Sequence, residues 1–102
     1  MNLTRQQALA HLEAWTDDPS LRKHARAVEI AMRAAAAVYG SGAEDADLWG
    51  LTGLLHDADY QRWPEDHPRR IVDWLREQGE EEMAYAVSVH QTLWNLEPKS
   101  AL

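Results

Sequence analysis

The chain contains no cysteine and no phenylalanine, and its basic residues are fewer than its acidic ones. Without cysteine, neither a disulfide framework nor a thiolate metal site can form, so any metal ion must be held by nitrogen and oxygen ligands. The formal net charge of −7 argues against a nucleic acid polymer as partner, because that binding depends on a basic surface. A small phosphorylated substrate stays compatible with this charge, since a local metal ion can meet the phosphate.

Long apolar segments are also missing. No run approaches the roughly 20 residues of a membrane-spanning helix. Residues 1–5 lack the apolar stretch of a secretory signal, so we expect a cytoplasmic protein that does not bind a membrane. A chain of 102 residues suits one hydrophobic core, and five Trp and three Tyr supply its aromatic bulk. We therefore predict a single domain over residues 1–102.

Apolar residues recur at helical spacing along the chain, and no stretch shows the alternation of a strand. Thr4 opens a capping-box pattern, and Asp18 stands as N-cap before Pro19. Asp66 is expected to cap the fourth helix. The predicted helices span residues 4–15, 19–39, 45 or 47 to 56, 67–78 and about 80–92. The sequence thus predicts an all-α fold, a compact bundle of five helices, or six if a short piece after residue 98 is helical.

The third predicted helix ends on an adjacent imidazole and carboxylate, His56 and Asp57. Trp49, Thr52 and His56 fall on one helical face, where the apolar run Gly53-Leu54-Leu55 gives way to charge. A neutral imidazole beside an ionised carboxylate can occupy two positions of one divalent-ion site. The pair taken alone fits a capped helix end equally well, so its interpretation depends on the other histidines.

Four of the five histidines are predicted to point inward. His24 lies in the apolar stripe of the second helix, His67 in the first turn of the fourth, and His90 on the apolar face of the fifth. His11 lies beside the stripe of the first helix and is predicted to be a surface or boundary residue. A single inward histidine is more often hydrogen-bonded into a core than a ligand. Burying four leaves many donors and acceptors to satisfy, and a shared divalent ion removes much of that difficulty.

His24, the pair His56-Asp57 after Gly53-Leu54-Leu55, His67 and His90 together resemble the HD superfamily of metal-dependent phosphohydrolases, in particular its small prokaryotic members. The resemblance extends from about residue 21 to residue 102. It implies an HD-domain-like fold and a metal site with His24, His56 and Asp57 as ligands, Asp57 and His56 also serving catalysis. It further implies that His67 and His90 bind a second metal ion or a substrate phosphate.

Two features depart from that family. Its last ligand Asp, in a further helix, has no counterpart before Leu102, so we expect the fourth position to be filled by water, Asp59 or a residue of a second chain. Members that act on larger nucleotides often carry a Lys shortly after the His-Asp pair, where this chain has Ala58-Asp59-Tyr60-Gln61. The first departure bears on catalysis and the second on the substrate.

The expected activity is hydrolysis of a small phosphoester or nucleotide by a metal-activated water, with Mn, Fe, Co, Ni, Zn or Mg as the ion. Arg70 is a candidate phosphate contact or an ion-pair partner of a nearby Asp. Trp63 is a candidate lid, a stacking surface for a nucleobase, or a hydrophobic plug. The alternative function is a non-catalytic HD-like module that binds metal or phosphate as a sensor or interaction partner.

The C-terminal end of the chain favours self-association. If the bundle's apolar face is left uncovered near Trp94, Leu96 and Leu102, we expect a homodimer formed at this end, since exposed apolar patches usually find a partner.

Overall fold

The computed structural model describes residues 2–40 and 42–96, with the backbone alone for residues 43, 44 and 90–96. Its helices are α1 (Arg5–Trp15), α2 (Pro19–Tyr39), α3 (Ala43–Leu55), α4 (Arg69–Glu77) and α5 (Glu81–Leu96). No strand occurs within these ranges, so the all-α prediction is confirmed there. None of these helices is long and apolar enough to cross a membrane. The predicted piece after residue 98 and the side chains expected to form a dimer interface lie outside the described residues.

The first two helices begin with the predicted side-chain caps. Thr4 Oγ1 accepts a hydrogen bond from Gln7 N at 3.1 Å, and Gln7 Oε1 accepts one from Thr4 N at 3.0 Å. Asp18 Oδ1 accepts from Ser20 N at 2.7 Å and from Leu21 N at 3.2 Å. These bonds satisfy backbone amides that have no partner inside the helix, so local sequence is sufficient to start both helices.

The start of α3 and the end of α5 differ from the prediction. Helix α3 begins at Ala43 rather than at Asp45 or Asp47, directly after Gly42, which has φ 126° and supplies no side-chain cap. Because glycine tolerates this backbone angle, the chain turns into the helix without an acidic cap. Helix α5 continues to Leu96, past the predicted end near residue 92.

The prediction that Asp66 caps α4 is wrong. The helix begins at Arg69, with Pro68 at the N-cap position and no side-chain cap. The Asp66 carboxylate instead accepts hydrogen bonds from Arg69 at 2.9 Å and from Arg70 at 3.3 Å. A residue farther back in the chain bonds to the first turn instead: Asp59 Oδ2 accepts a hydrogen bond from Ile71 N at 3.0 Å. A tertiary contact therefore sets this helix start.

Helix α3 is the central helix of the bundle and packs against α1, α2 and α5. The largest side chains with almost no exposure are Leu51, Leu54, Leu55, Ile71, Leu75 and Met83. Three of the six come from the last five residues of α3. The end of this helix, where His56 and Asp57 follow, is thereby fixed in the core.

Helices α2 and α3 approach each other closely at Gly53. A Cβ atom there would lie 2.8 Å from Met32 Cγ and 3.0 Å from Val28 Cγ1, so any larger residue requires these side chains or α2 itself to shift. This approach brings the His24 ring on α2 to a centroid distance of 5.8 Å from the His56 ring. The glycine in the sequence motif thus serves the packing that assembles the histidines.

Gly53→Ala should destabilise the protein. Alanine gains about 1 kcal/mol in helix propensity over glycine, but overpacking a filled contact costs about 1–3 kcal/mol, so we expect a net loss of up to about 2 kcal/mol. Urea unfolding followed by circular dichroism measures this change. An unchanged or higher midpoint would show that α2 and α3 accept the methyl group.

Candidate metal centre

The segment between α3 and α4, residues 56–68, is tied to the connection between α1 and α2. Thr16 Oγ1 donates a buried hydrogen bond to the carbonyl of Ala58 at 3.0 Å. Gln61 Oε1 accepts from the backbone N–H of Asp17 at 3.1 Å. Because α2 follows that connection directly, these bonds hold the segment beside the first turns of α2.

Three side chains converge where this segment begins. His24 lies on α2, His56 is the C-cap residue of α3, and Asp57 follows it. Each offers one ligand atom, and the three atoms lie within 4.8 Å of one another. Nε2 of His24 and Nε2 of His56 lie 3.7 and 3.1 Å from Asp57 Oδ2. The structure therefore brings together the three residues that the sequence indicated as metal ligands.

The His56 ring is oriented by its own helix. Its Nδ1 lies 2.6 Å from the carbonyl oxygen of Gly53. Because a carbonyl oxygen can only accept, Nδ1 carries the hydrogen, and Nε2 is the nitrogen on the Asp57 side. Metal-binding histidines commonly donate their second ring N–H in this way. The hydrogen bond thus presents Nε2 as the ligand atom.

The cluster opens to the protein surface on its His24 side, while the His56 side chain is only 18% exposed. The prediction that His24 points inward is wrong, since its side chain is 54% exposed, compared with 34% for Asp57. The apolar stripe of α2 is less buried near the helix N-terminus, where Leu21 is only partly buried. An ion bound here would be reachable by solvent or by a substrate, as a catalytic metal site requires.

The carboxylate and its neighbours shift one another's pKa values. Burial alone would raise the pKa of Asp57, but hydrogen bonds from His56 and His67 hold it far below its usual range. Burial alone would lower the pKa of His56, but its hydrogen bond to Asp57 raises the pKa above the ordinary histidine value. Asp57 is therefore ionised at neutral pH, as a metal ligand must be.

His67 contacts the other oxygen of Asp57. It lies just before α4, not in its first turn as predicted, and its side chain is 7% exposed. Its Nε2 lies 3.1 Å from Asp57 Oδ1, and its Nδ1 lies 2.5 Å from Asp59 Oδ1. Burial lowers the pKa of His67, but the two carboxylates raise it to about 9. That His67 and His90 bind a second metal ion or a substrate phosphate stays a prediction, because the His90 side chain lies outside the described residues.

Asp59 is fully buried and supports His67. Its two oxygens accept from His67 Nδ1 and from Ile71 N, so it contacts His67 rather than His24 or His56. From the sequence, Asp59 is expected only as a substitute for the missing metal ligand. Its spacing two residues after Asp57 was a signal that it belongs to the site, but no local pattern shows its bond to His67.

The candidate substrate contacts Trp63 and Arg70 lie against each other. The Arg70 guanidinium is 4.6 Å from the centre of the Trp63 ring, and the Trp63 ring meets Trp15 edge to face at 4.9 Å. Arg70 also bonds to Asp66. These contacts agree with Trp63 as a hydrophobic plug and with Arg70 as an ion-pair partner of Asp66. That either residue contacts a substrate stays a prediction.

His11 is a boundary residue, and its ring lies outside the three-residue cluster. The ring stacks on Trp74 at a centroid distance of 3.6 Å and is tilted against Trp15 at 4.1 Å. Burial lowers the pKa of His11 to about 4, so its imidazole is neutral at pH 7. The sequence pattern did not indicate this aromatic stack.

Comparison of the chain with protein-family models, with curated proteins and with solved structures found no match.

Proposed function

We propose that this protein is a metal-dependent phosphohydrolase of HD-domain-like fold that acts on a small phosphoester or nucleotide. The observation that carries the proposal is the convergence of His24, His56 and Asp57, with ligand atoms within 4.8 Å of one another. Two imidazoles and a carboxylate suit Mn, Fe, Co, Ni or Zn, and Mg to a lesser degree. Three protein ligands with one side open to solvent is the arrangement of catalytic rather than structural metal sites.

The residues around the ion position have distinct roles in this proposal. A divalent ion held there would acidify a bound water and polarise a phosphoryl oxygen. Asp57, ionised at neutral pH, would bind through Oδ2 and could orient a water by hydrogen bonding. The two ring nitrogens of His67 contact Asp57 and Asp59, so the ion itself would supply the positive charge that meets a phosphate group. The site would thus bind an anion although the whole chain carries a charge of −7.

The alternative is a non-catalytic HD-like module that binds a metal ion or phosphate as a sensor or interaction partner. It is based on the ligand count of the resembled family, which has one more Asp than the three ligands that converge within the described part of the chain. A site with three ligands and no turnover would serve to detect the ion or the phosphate.

Metal content and turnover together test the proposal. The protein would be purified without chelator, analysed for metal, and assayed with an aryl phosphate and a nucleotide panel in the presence of each candidate ion. Bound metal with turnover that Asp57→Ala abolishes supports the phosphohydrolase. Bound metal without turnover of any substrate favours the module, and a protein that binds neither a divalent metal ion nor inorganic phosphate contradicts both.

The affinity for the ion should fall as the pH is lowered, because protons and metal ions compete for imidazole nitrogen. The pKa of an unperturbed histidine is about 6.5, and the pKa of His56 is raised above that value. Competition should therefore begin above about pH 6.5 and become stronger below it. Mn²⁺ titrations at several pH values measure the effect. Equal affinity at about pH 8 and about pH 5 would contradict histidine ligation.

A further inference from the structure

The two oxygens of Asp57 face different groups. Oδ2 faces Nε2 of His24 and of His56, where an ion would bind. Oδ1 lies 3.1 Å from Nε2 of His67. A carboxylate can rotate about its terminal bond, and a contact of its second oxygen with another group restricts that rotation. His67 makes that contact.

His67 is itself held in place from its other side. Its Nδ1 lies 2.5 Å from Oδ1 of Asp59, a residue with no exposed surface. Oδ2 of Asp59 accepts from Ile71 N at 3.0 Å, in the first turn of α4. The Tyr60 ring meets the His67 ring edge to face at 5.7 Å. A continuous series of contacts therefore runs from the backbone of α4 through Asp59 and His67 to Asp57.

We propose that Asp59 and His67 are positioning residues that fix the orientation of Asp57 and thereby set the affinity for the ion. In this role His67 does not bind the ion at His24, His56 and Asp57 but contacts one of its ligands. The inference rests on the proposed function only in requiring an ion at that position, and it is independent of the reaction catalysed. Residues that hold a ligand in place typically contribute roughly 10–100-fold to metal affinity.

Mn²⁺ titration of four proteins tests this role: the unaltered chain, His67→Ala, Asp59→Ala and the double variant. Each single variant should bind Mn²⁺ roughly 10–100-fold more weakly, with the number of ions bound unchanged. Because Asp59 acts through His67, the double variant should be no weaker than the weaker single variant. If Asp59 influenced the affinity independently of His67, the two effects would multiply, and if it served stability alone, Asp59→Ala would leave the affinity unchanged; either result would overturn its role.

Conservative variants separate positioning from packing. The amide nitrogen of glutamine can replace Nε2 of histidine, whereas that of asparagine replaces Nδ1. His67→Gln should therefore retain much of the affinity, while His67→Asn should lose as much as His67→Ala. Asp59→Asn replaces Asp59→Ala if the latter does not fold, because it keeps the volume but offers one acceptor oxygen to two N–H donors. It should weaken binding in the unaltered background and have no effect beside His67→Ala.

Asp66→Asn is the matched control, since this exposed carboxylate contacts Arg69 and Arg70 and should not change the affinity. Equal affinity in all His67 and Asp59 variants would overturn the positioning role while leaving the metal site in place. Loss of one of two bound ions in His67→Ala would also overturn it, because His67 would then be a ligand. Failure of the unaltered protein to bind Mn²⁺ would overturn this role together with the proposed function, whereas binding without turnover would leave the role intact.

Discussion

His24→Ala, His56→Ala and Asp57→Ala should each abolish most of the divalent-ion binding. Each variant removes one of three ligand atoms that lie within 4.8 Å of one another. The loss should exceed the roughly 10–100-fold expected when a residue that only supports a ligand is removed. Asp57→Ala should have the largest effect, because it removes the only negative charge of the three ligands. Isothermal titration with Mn²⁺ or Zn²⁺ and elemental analysis after dialysis measure the result.

His11→Ala is the control for these variants. It also removes an imidazole, but one that stacks on Trp74 and lies outside the cluster. We expect it to retain the metal, although it leaves a gap between Trp15 and Trp74 and should lower stability. Circular dichroism would confirm that all four variants are folded. Equal metal content in all four would place the site elsewhere in the chain.

Glu29→Ala should cause a large loss of stability. The Glu29 side chain is 4% exposed and bonds to Arg5 Nε on α1 at 2.8 Å and to Arg33 on its own helix. Arg33 in turn bonds to Asp47 on α3 at 2.8 Å. One buried carboxylate thus connects three helices through two guanidinium groups.

The magnitude follows from what Glu29→Ala leaves behind. Breaking a fully buried ion pair costs about 3–5 kcal/mol, because the remaining charge is unpaired. Arg5 and Arg33 are partly exposed, so water compensates in part and we expect a loss of about 2–3 kcal/mol. Asp47→Ala is the matched control: this carboxylate also binds Arg33, but it is 57% exposed and should cost less than about 1 kcal/mol. Equal free energies of unfolding for both variants would contradict the proposed role of burial.

The contribution of Glu29 should also depend on pH. Burial alone would raise its pKa, but hydrogen bonds from Arg5 and Arg33 outweigh burial and lower the pKa below 4.5. A lowered pKa means that the stabilisation is complete above the pKa of the unfolded chain and is lost as the pH falls through that of the folded chain. The difference in stability between the unaltered protein and Glu29→Ala should therefore be constant near neutral pH and shrink in acid.

Several features of the fold and of the candidate site could be predicted from the sequence, because they depend on residues that are close together in the chain. The caps at Thr4 and Asp18 join residues two or three positions apart, so they follow from local geometry. The His56–Asp57 pair at the end of an apolar helix is also local, as is the bond from the His56 ring to the Gly53 carbonyl. That His24 joins this pair was implied by the family resemblance, and the structure brings the three together.

Other features depend on how the helices pack, and no local pattern specifies them. The exposure of His24 depends on how far the segment after α3 covers the start of α2, which helical periodicity does not show. Asp59 caps α4 from ten residues before the helix begins, so the local signal at Asp66 misplaced that helix start. The stacking of His11 on Trp74 joins residues that are distant in the chain.

The sequence by itself determined the all-helical architecture, two helix caps and the chemical nature of the candidate ligands, because periodicity, capping and side-chain type are properties of short segments. Only the tertiary structure decided which oxygen of Asp57 faces the ion position and which groups hold it there. That outcome required the close approach of α2 and α3 at Gly53 and the contact of Asp59 with both His67 and Ile71. The orientation of a carboxylate is set by the groups that surround it in space, and these come from different helices.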